Sequence, residues 1–406
     1  MTRPNQHMLS GFRILDLTRA IAGPTCTRMF AEMGAEVIKI EAAPDGDMTR
    51  GYSKFGGERS LHMIQQSLNK KSVCVNLRDP QGMDLVRKLV AQCDVVVENF
   101  RPGIMAAMGL DYRSLCALRE DIILCSISAL GQTGPLAESP GYDYIAQAYA
   151  GITSMIGDRD SAPAIPAAAI GDVSTGVTAA FAIAAALLDR YKTGAGQHLD
   201  IAILDCYYHC HEVNVHQYSG SGGEIAPTRN GSHMGYICPA GVFRASGGEV
   251  VVMAFAQHWA DLCAAMNRPE LVDAPTWSTD TERLEHAQEV IAMIENWLQT
   301  FPDVSTAIAQ LEAHGVPCAP VLTVAETTRF PHLLERGTVR TINDRIAGEF
   351  QIPGHPIHSS RYAANNDYDA PFLGEHNHEI LSALLELPDD EIAALEQAGI
   401  LQAKDF

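Results

Sequence analysis

Several familiar sequence signals are absent from this chain of 406 residues, and each absence excludes a class of protein. Its 10 cysteines are scattered without a CxxC pair, so neither a disulfide framework nor a zinc ribbon is expected. Neither GxGxxG nor GxxxxGK followed by Ser or Thr occurs, which removes support for nicotinamide and ATP chemistry. Lysine and arginine total 29 against 49 acidic residues, and no basic patch offsets the formal net charge of −20. Because so acidic a chain repels phosphate backbones, we expect no nucleic-acid partner.

Long apolar runs are also scarce. The longest, residues 177–188, is about half the length that a bilayer span needs, so a soluble chain without a membrane partner is expected. The first eleven residues lack the continuous apolar region of a secretory signal. We therefore expect a cytoplasmic protein.

An alternation of short β-rich runs with helical segments fills roughly the first half of the chain. The runs are residues 13–17, 36–41, 72–77, 94–100 and 122–128. This alternation predicts an α/β fold with a Rossmann-like parallel sheet and helices on both of its faces. An alanine-rich helix is predicted from Gly171 to about Tyr191, followed by a strand or strand-to-helix transition at 197–204.

The composition changes after residue 218. A stretch rich in Gly and polar residues at 219–229 indicates a linker between a large α/β domain, residues 1–218, and a smaller α+β domain, residues 230–322. The smaller domain is predicted to contain a β-hairpin from 241–245 and 249–255, then helices at 257–266, 281–301 and 304–314. The tail, residues 323–406, is expected to return to the large domain; it is irregular and then carries two short helices at 375–387 and 389–398.

Two aspartates lie at turns that lead into predicted helices. Asp172 lies on a Gly-flanked turn, where the positive end of the helix dipole should keep its carboxylate ionised near neutral pH. An ionised carboxylate can attack an activated acyl group without a base and form an acyl-enzyme. Asp143 follows Tyr142 in a Pro-Gly turn, where the phenol could donate a hydrogen bond and the carboxylate could orient an acyl group or handle a proton. Either aspartate could instead only cap its helix.

The densest group of potential metal ligands lies between residues 206 and 216. On a helix, Cys206 and Cys210 would share one face, as would His209 and His216. The segment mixes soft and hard ligands and lacks HExxH or paired CxxC spacing. We therefore expect no metal, and a buried or interface helix is the default interpretation.

Three basic residues are candidates for a phosphate-bearing ligand. Arg101 comes just after a predicted strand, and ligands of parallel α/β sheets bind outside the carboxyl ends of strands. Lys70 and Lys71 come just before a predicted strand, so the same rule supports them less. All three could equally be solvated surface charges.

Beyond these single motifs, the ordered set of motifs resembles the family III CoA-transferases, which include formyl-CoA transferase and the carnitine CoA-transferases. The matching stretches are RILDL at 13–17, AGP at 22–24, GAEVIKIE at 34–41, GD at 46–47, NKKS at 69–72, ENFRPG at 98–103, GYD at 141–143, GD at 171–172 and LGEH at 373–376. The resemblance covers nearly the whole chain.

The resemblance implies a function as well as a fold. Asp172 matches the family's nucleophile, which forms a mixed anhydride and then an aspartyl-CoA thioester before CoA passes to an acceptor acid. The implied partners are an acyl-CoA, a small carboxylic acid and a second copy of the chain in an interlocked homodimer. CoA-contacting candidates are Arg19, Ala20, Lys70, Lys71, Asn99, Phe100 and Arg101. Substrate-contacting candidates are Ile21, Arg50, Tyr142 and Asp143.

The α-methylacyl-CoA racemases are the alternative within this resemblance. They pair an Asp at the position of Asp172 with a His where Tyr142 stands in this chain. Racemisation requires two proton carriers, and this substitution removes one of them. CoA transfer is therefore favoured over racemisation. Formyl-CoA transferase carries Gln where Ile21 stands, so formate and oxalate are not implied as the substrates.

Overall fold

The structure is a computed structural model that describes residues 7–52, 59–362 and 368–404. Its contacts divide the chain into two compact units. Unit 1 comprises Met1–Ala150, Pro166–Cys210 and Pro331–Phe406, and unit 2 comprises Gly151–Ile165 and His211–Phe330. Unit 2 therefore begins before the predicted linker at 219–229 and includes a short earlier segment that the sequence analysis assigned to the large domain.

A six-stranded sheet forms the centre of unit 1, and every neighbouring pair of its strands is parallel. The strands are β1 (Arg13–Asp16), β2 (Glu36–Ala42), β3 (Lys70–Val75), β4 (Val95–Glu98), β5 (Ile123–Ser128) and β6 (His198–Ala202). Their spatial order is β3-β2-β1-β4-β5-β6. The predicted α/β fold with a parallel sheet is confirmed, and Lys70 and Lys71 prove to be the first residues of β3 rather than the residues before it.

Helices cover both faces of this sheet. In chain order they are α1 (Ala22–Glu32), α2 (Leu61–Ser67), α3 (Pro80–Val90), α4 (Ile104–Ala107), α5 (Tyr112–Leu118), α6 (Asp143–Tyr149), α7 (Ile170–Thr193) and α8 (Ile203–His209). Alternate strand residues face opposite layers: Ile14 packs with α1 and α7, whereas Leu15 packs with α3 and α5. Because both of their faces are buried, β4 and β5 are nearly continuous apolar runs, and this is why the sequence pattern revealed them.

The strand order predicts a ligand site at the carboxyl ends of the strands. The order reverses between β1 and β4, which lie side by side. In open parallel sheets, ligands bind in the crevice outside the carboxyl ends of the strands at this reversal. The loops that begin at Leu17 and Asn99 border that crevice.

Helix α7 packs closely against α1. A Cβ atom added at Gly176 would lie 2.6 Å from the Ala22 carbonyl oxygen, so only glycine allows this approach. By length and composition alone, α7 could also cross a membrane. Its buried residues, among them Ala179 and Ile183, pack in the core beneath the sheet, as they do in a core helix of a globular domain.

Unit 2 contains a three-stranded antiparallel sheet and short helices. These elements are α9 (Asn214–Gly220), β7 (Ala240–Ala245), β8 (Gly248–Met253), α10 (Trp259–Ala265), α11 (Asp280–Glu285), α12 (Ala287–Leu298), α13 (Val304–Ala313), β9 (Cys318–Pro320) and α14 (Val324–Thr327). The predicted hairpin is present as β7 and β8. The predicted helix at 281–301 is divided into α11 and α12 because His286 leaves the helical conformation, with φ −108° and ψ 26°.

The chain then completes unit 1. Its last elements are α15 (Pro331–Glu335), β10 (Val339–Asp344), β11 (Gly348–Pro353), α16 (Asn377–Leu385) and α17 (Asp389–Gln397). Helices α16 and α17 add Ile380 and Ile392 to the core beside α3, close to their predicted positions. The antiparallel pair β10–β11 replaces the irregular structure that the sequence analysis expected there. Short 3-10 helices occur at Met48–Gly51, Ile152–Met155, Ala256–His258 and Pro269–Leu271.

Candidate active site

A cavity of about 420 Å³ lies at the carboxyl edge of the parallel sheet. Its walls come from the loops after β1, β4 and β5 and from the residues that begin α6 and α7. Seven predicted site residues line it: Arg19, Ala20, Ile21, Asn99, Arg101, Tyr142 and Asp172. The other five predicted residues, Arg50, Lys70, Lys71, Phe100 and Asp143, do not line this cavity.

Asp172 presents its carboxylate to the cavity from the first turn of α7. It is the third helical residue rather than the N-cap, which is Ala169, so the helix-capping alternative does not apply. Among the described residues, no group donates a hydrogen bond to this carboxylate. Burial, together with the negative charge of Asp143, raises the pKa of Asp172 to about 6. The Asp172 carboxyl is therefore ionised at neutral pH, although its pKa is higher than that of an ordinary aspartate.

Asp143 is buried and supports the start of α7 through its carboxylate. One of its carboxylate oxygens, Oδ2, accepts a hydrogen bond from the backbone N–H of Asp172 at 3.0 Å. The other, Oδ1, accepts a hydrogen bond from the hydroxyl of Tyr207. Asp143 is the first residue of α6, not its N-cap, and it does not face the cavity. The expectation that Asp143 orients the acyl group directly is thus corrected.

The first N–H groups of α7 are also occupied. The N–H of Gly171 donates to the Tyr207 hydroxyl at 2.9 Å, and the N–H of Asp172 is bound to Asp143. Neither N–H is therefore available to stabilise an oxyanion on a bound acyl group. Tyr142, by contrast, is 75% exposed at the N-cap of α6 and presents its side chain at the cavity.

The loops after β1 and β4 are joined at the cavity wall. The side-chain amide of Asn99 accepts a hydrogen bond from the Arg19 N–H at 2.9 Å and donates one to the Arg19 carbonyl at 2.7 Å. The Arg19 guanidinium lies 5.3 Å from the ring centroid of Phe100. Ala20 has φ 67°, a left-handed conformation that is unfavourable for alanine. The Phe100 ring therefore contacts the Arg19 side chain, and the Asn99 amide is hydrogen-bonded to the loop backbone.

The positive charge at the cavity comes from Arg19 and Arg101, which are both exposed. No ion pair to either side chain is found within residues 7–52, 59–362 and 368–404. Their guanidinium groups are therefore free to bind an anionic ligand.

Lys70 is excluded from such a role because its side chain is completely buried. Its Nζ binds Asp16 at 3.0 Å and the Thr27 hydroxyl at 2.7 Å. Burial lowers the pKa of Lys70 to about 8, against the opposing effect of Asp16. Asp16 also accepts the Thr18 N–H at 2.8 Å, so this buried pair anchors the loop that leads to the cavity.

Lys71 and Arg50 are likewise committed elsewhere. Lys71 lies at the amino end of β3, the opposite edge of the sheet, where it pairs with Glu36 at 2.8 Å and Glu379 at 2.7 Å. Arg50 binds both carboxylate oxygens of Glu41, at 2.7 and 2.6 Å. The predicted contacts of these residues with a phosphate and with a substrate carboxylate are therefore corrected.

Two residues of the site were missed by the sequence analysis. Tyr207 lies within the 206–216 segment, which was considered for metal binding, and Gln147 lies on α6. The spacing of Tyr207 from Ile203 on α8 could have predicted its burial. The hydrogen bond between Tyr207 and Asp143 joins residues 64 positions apart, so no pattern in the sequence around either residue could have predicted it. In the described parts of the chain, no cluster of three or more His, Cys, Asp or Glu side chains could hold a metal ion.

Comparisons with known proteins show the family to which the chain belongs. Residues 9–377 match the family model described as CoA-transferase family III. A human succinyl-CoA:glutarate CoA-transferase is 34% identical over 397 residues, covering 97% of this chain and 90% of the relative. A formyl-CoA:oxalate CoA-transferase of Rhodopseudomonas palustris (strain BisB18) is 31% identical, covering 97% of each chain. The crystal structure of a CAIB/BAIF family protein from Brucella suis aligns with a TM-score of 0.82 at 31% identity, covering 93% of this chain and 100% of that one.

Proposed function

The chain belongs to CoA-transferase family III and is a CoA-transferase, and from this premise we propose that it works through covalent intermediates on Asp172. The observation that carries the proposal is the Asp172 carboxylate, which lines the cavity and accepts no hydrogen bond among the described residues. An unpaired carboxylate at the wall of a cavity is available to react with a bound acyl group.

CoA transfer through Asp172 takes four steps. A carboxylate oxygen of Asp172 attacks the thioester carbonyl carbon, the C–S bond breaks, and CoA leaves as a thiolate while a mixed anhydride forms. The thiolate then attacks the Asp172 carbonyl carbon, which releases the donor acid and leaves an aspartyl-CoA thioester. The acceptor carboxylate attacks that thioester and displaces CoA, whose thiolate finally attacks the acceptor's acyl carbon and restores the Asp172 carboxylate. No water, metal or redox partner enters the balance.

The pKa of Asp172 suits this sequence of steps. A carboxyl with a pKa of about 6 is ionised at pH 7, yet it is more basic than an ordinary aspartate. Nucleophilicity rises with basicity, so partial burial beside Asp143 makes the attacking oxygen more reactive without requiring a general base.

Arg19 and Arg101 are the residues that we propose for the phosphates of the CoA substrate. They supply local positive charge on a chain whose formal net charge is −20. Losing one charge-assisted contact should raise the KM for acyl-CoA about tenfold in Arg101→Ala. Lys71→Ala is the matched control because Lys71 pairs with acids at the opposite edge of the sheet. An equal rise in KM in both variants would contradict the assignment.

The acceptor is proposed to be a small carboxylic acid. The two relatives compared above are named for dicarboxylates, succinate with glutarate in one and oxalate in the other. Arg50 does not supply a site for a second carboxylate, because Glu41 occupies it. A screen of acyl-CoA donors against mono- and dicarboxylic acids, scored by the new thioester formed, identifies the pair that this cavity accepts.

We also propose a homodimer, interlocked as the family resemblance implies. The observation that supports association is an exposed apolar stripe on α7, in which Val173, Val177, Phe181 and Leu188 are between 40% and 76% exposed. Such a stripe on a helix of a globular protein marks an interaction surface. Light scattering should give twice the chain mass of 43.9 kDa, and Phe181→Glu should lower it. A monomeric wild-type protein would contradict the proposal.

The covalent step has a direct test. Incubation with an acyl-CoA followed by hydroxylamine should convert Asp172 to its hydroxamate, which peptide mass spectrometry locates. Asp172→Asn should abolish transfer, whereas Asp189→Asn, at an exposed aspartate of the same helix, should retain it. An unmodified Asp172 peptide together with an active Asp172→Asn variant would refute the nucleophile. Deuterium exchange at the substrate α-carbon without any acceptor acid would instead support racemase chemistry.

A further inference from the structure

A buried group of polar side chains lies beneath the start of α7. Tyr207 of α8 is 2% exposed, Gln147 of α6 is completely buried, and Asp143 of α6 is 7% exposed. Neither Tyr207 nor Gln147 lines the cavity. Buried polar side chains are unfavourable unless they form hydrogen bonds. The hydrogen bonds of these three residues therefore indicate their role.

The hydroxyl of Tyr207 uses its full hydrogen-bonding capacity. Its oxygen accepts from the Gly171 N–H at 2.9 Å and from Gln147 Nε2 at 3.0 Å, and its proton is donated to Asp143 Oδ1. A phenol has one proton to donate. Because the other two neighbours are donors, the Tyr207 proton can only point to Asp143. Gln147 and the Gly171 N–H therefore hold the Tyr207 oxygen from two sides, while its O–H bond orients the Asp143 carboxylate.

That orientation is transmitted to the nucleophile's backbone. With Oδ1 held by Tyr207, the Oδ2 atom of Asp143 faces the Asp172 N–H at 3.0 Å. Helix α7 has no capping side chain of its own because its N-cap is Ala169. Two of its first N–H groups, those of Gly171 and Asp172, are thus satisfied by one connected group of side chains.

We propose that Tyr207 is a positioning residue for CoA transfer, supported by Gln147, and that it holds the backbone of Asp172 in the geometry for attack on the thioester. This inference rests on the proposed role of Asp172 as nucleophile. Tyr207 touches no substrate, so its loss should affect the chemical steps rather than substrate binding. Misplacing a reacting group by about 1 Å can lower a rate a hundredfold.

The test is Tyr207→Phe, which keeps the ring and removes only the hydroxyl. We expect kcat to fall about tenfold to a hundredfold while the KM for acyl-CoA stays within about twofold. Tyr191→Phe is the matched control, since that phenol is 89% exposed near the other end of α7. Equal kcat values for Tyr207→Phe and wild type would overturn the proposal, and so would a rise in KM without a fall in kcat.

A double-mutant comparison separates positioning from general loss of stability. If Tyr207 acts through Asp143, then Tyr207→Phe combined with Asp143→Asn should lose little more kcat than Asp143→Asn alone. Fully additive losses would contradict the connection. Should Tyr207→Phe fail to fold, Gln147→Met takes its place: a several-fold loss of kcat supports the proposal, and an unchanged kcat refutes it. Retained activity in Asp172→Asn would refute the nucleophile itself, whichever result Tyr207→Phe gives.

Discussion

The raised pKa of Asp172 leads to a prediction in which stability and activity change in opposite directions. Burial and the charge of Asp143 raise this pKa from 3.8 to about 6. Between these two pH values the folded protein binds more protons at Asp172 than the unfolded chain does. Folding stability from this residue is therefore greatest below pH 4 and is lost as the pH rises through 6.

The magnitude follows from the size of the pKa shift. The pKa of Asp172 is raised by about two units, and each unit corresponds to about 1.36 kcal/mol. The ionised carboxylate therefore lowers the free energy of unfolding of the wild-type protein by about 3 kcal/mol at pH 7. Asp172→Asn keeps nearly the same shape and carries no charge at any pH. The variant should thus be more stable than the wild type at neutral pH, and its advantage should shrink by about 2 kcal/mol on going from pH 7.5 to pH 4.5.

Urea unfolding at a series of pH values measures this difference directly. The Asp189→Asn variant, at an exposed aspartate of α7, is the control for the chemical change itself. Transfer activity of Asp172→Asn should be lost over the whole range, and wild-type activity should fall below pH 6 as Asp172 is protonated. A pH-independent difference in the free energy of unfolding between Asp172→Asn and wild type would refute the reasoning.

Three further predictions concern the residues around the cavity. Lys70→Met should lower the free energy of unfolding by about 3–5 kcal/mol, because Asp16 keeps a buried, unpaired charge; a raised KM for acyl-CoA with unchanged urea unfolding would instead restore the phosphate role. Gly171→Ala should yield little folded protein, because its Cβ would lie 2.2 Å from the Tyr207 ring; normal yield and circular dichroism would contradict this close contact. Ala20→Val should destabilise the protein by more than about 1 kcal/mol in urea unfolding, because a β-branched residue tolerates φ 67° poorly, whereas Ala20→Gly should not; equal stabilities would argue against that conformation.

Much of the fold of unit 1 could be predicted because its signals are local. The strands of a parallel sheet covered on both faces are continuous apolar runs, and Val95–Glu98 and Ile123–Ser128 lie within the predicted runs. The pair β10–β11 was missed because its residues alternate with polar ones and follow a segment rich in turns. The break at His286 was missed because apolar spacing continues across it.

The candidate site was predictable where position along the chain decides function. Asp172 lies at the start of a helix, and Arg101 follows the end of a strand. The residues next to each of them in the sequence are enough to predict these positions. Lys70 was misassigned because a lysine near a strand end is usually exposed. In the folded protein, β1 and β3 belong to the same sheet, and Lys70 pairs with Asp16, which lies 54 residues earlier in the chain.

The sequence by itself determined the fold class, the family resemblance and the candidate nucleophile, because periodicity and motif order reside in neighbouring residues. Only the tertiary structure decided which charges remain free at the cavity and which are used inside the protein. It also decided that Asp143 and Tyr207, 29 and 36 residues from their bonding partners at the start of α7, hold Asp172. The physical reason is that the order of the strands decides how deeply each side chain is buried and which residue it bonds to. Burial and bonding partners in turn set the pKa and the position of the Asp172 carboxylate.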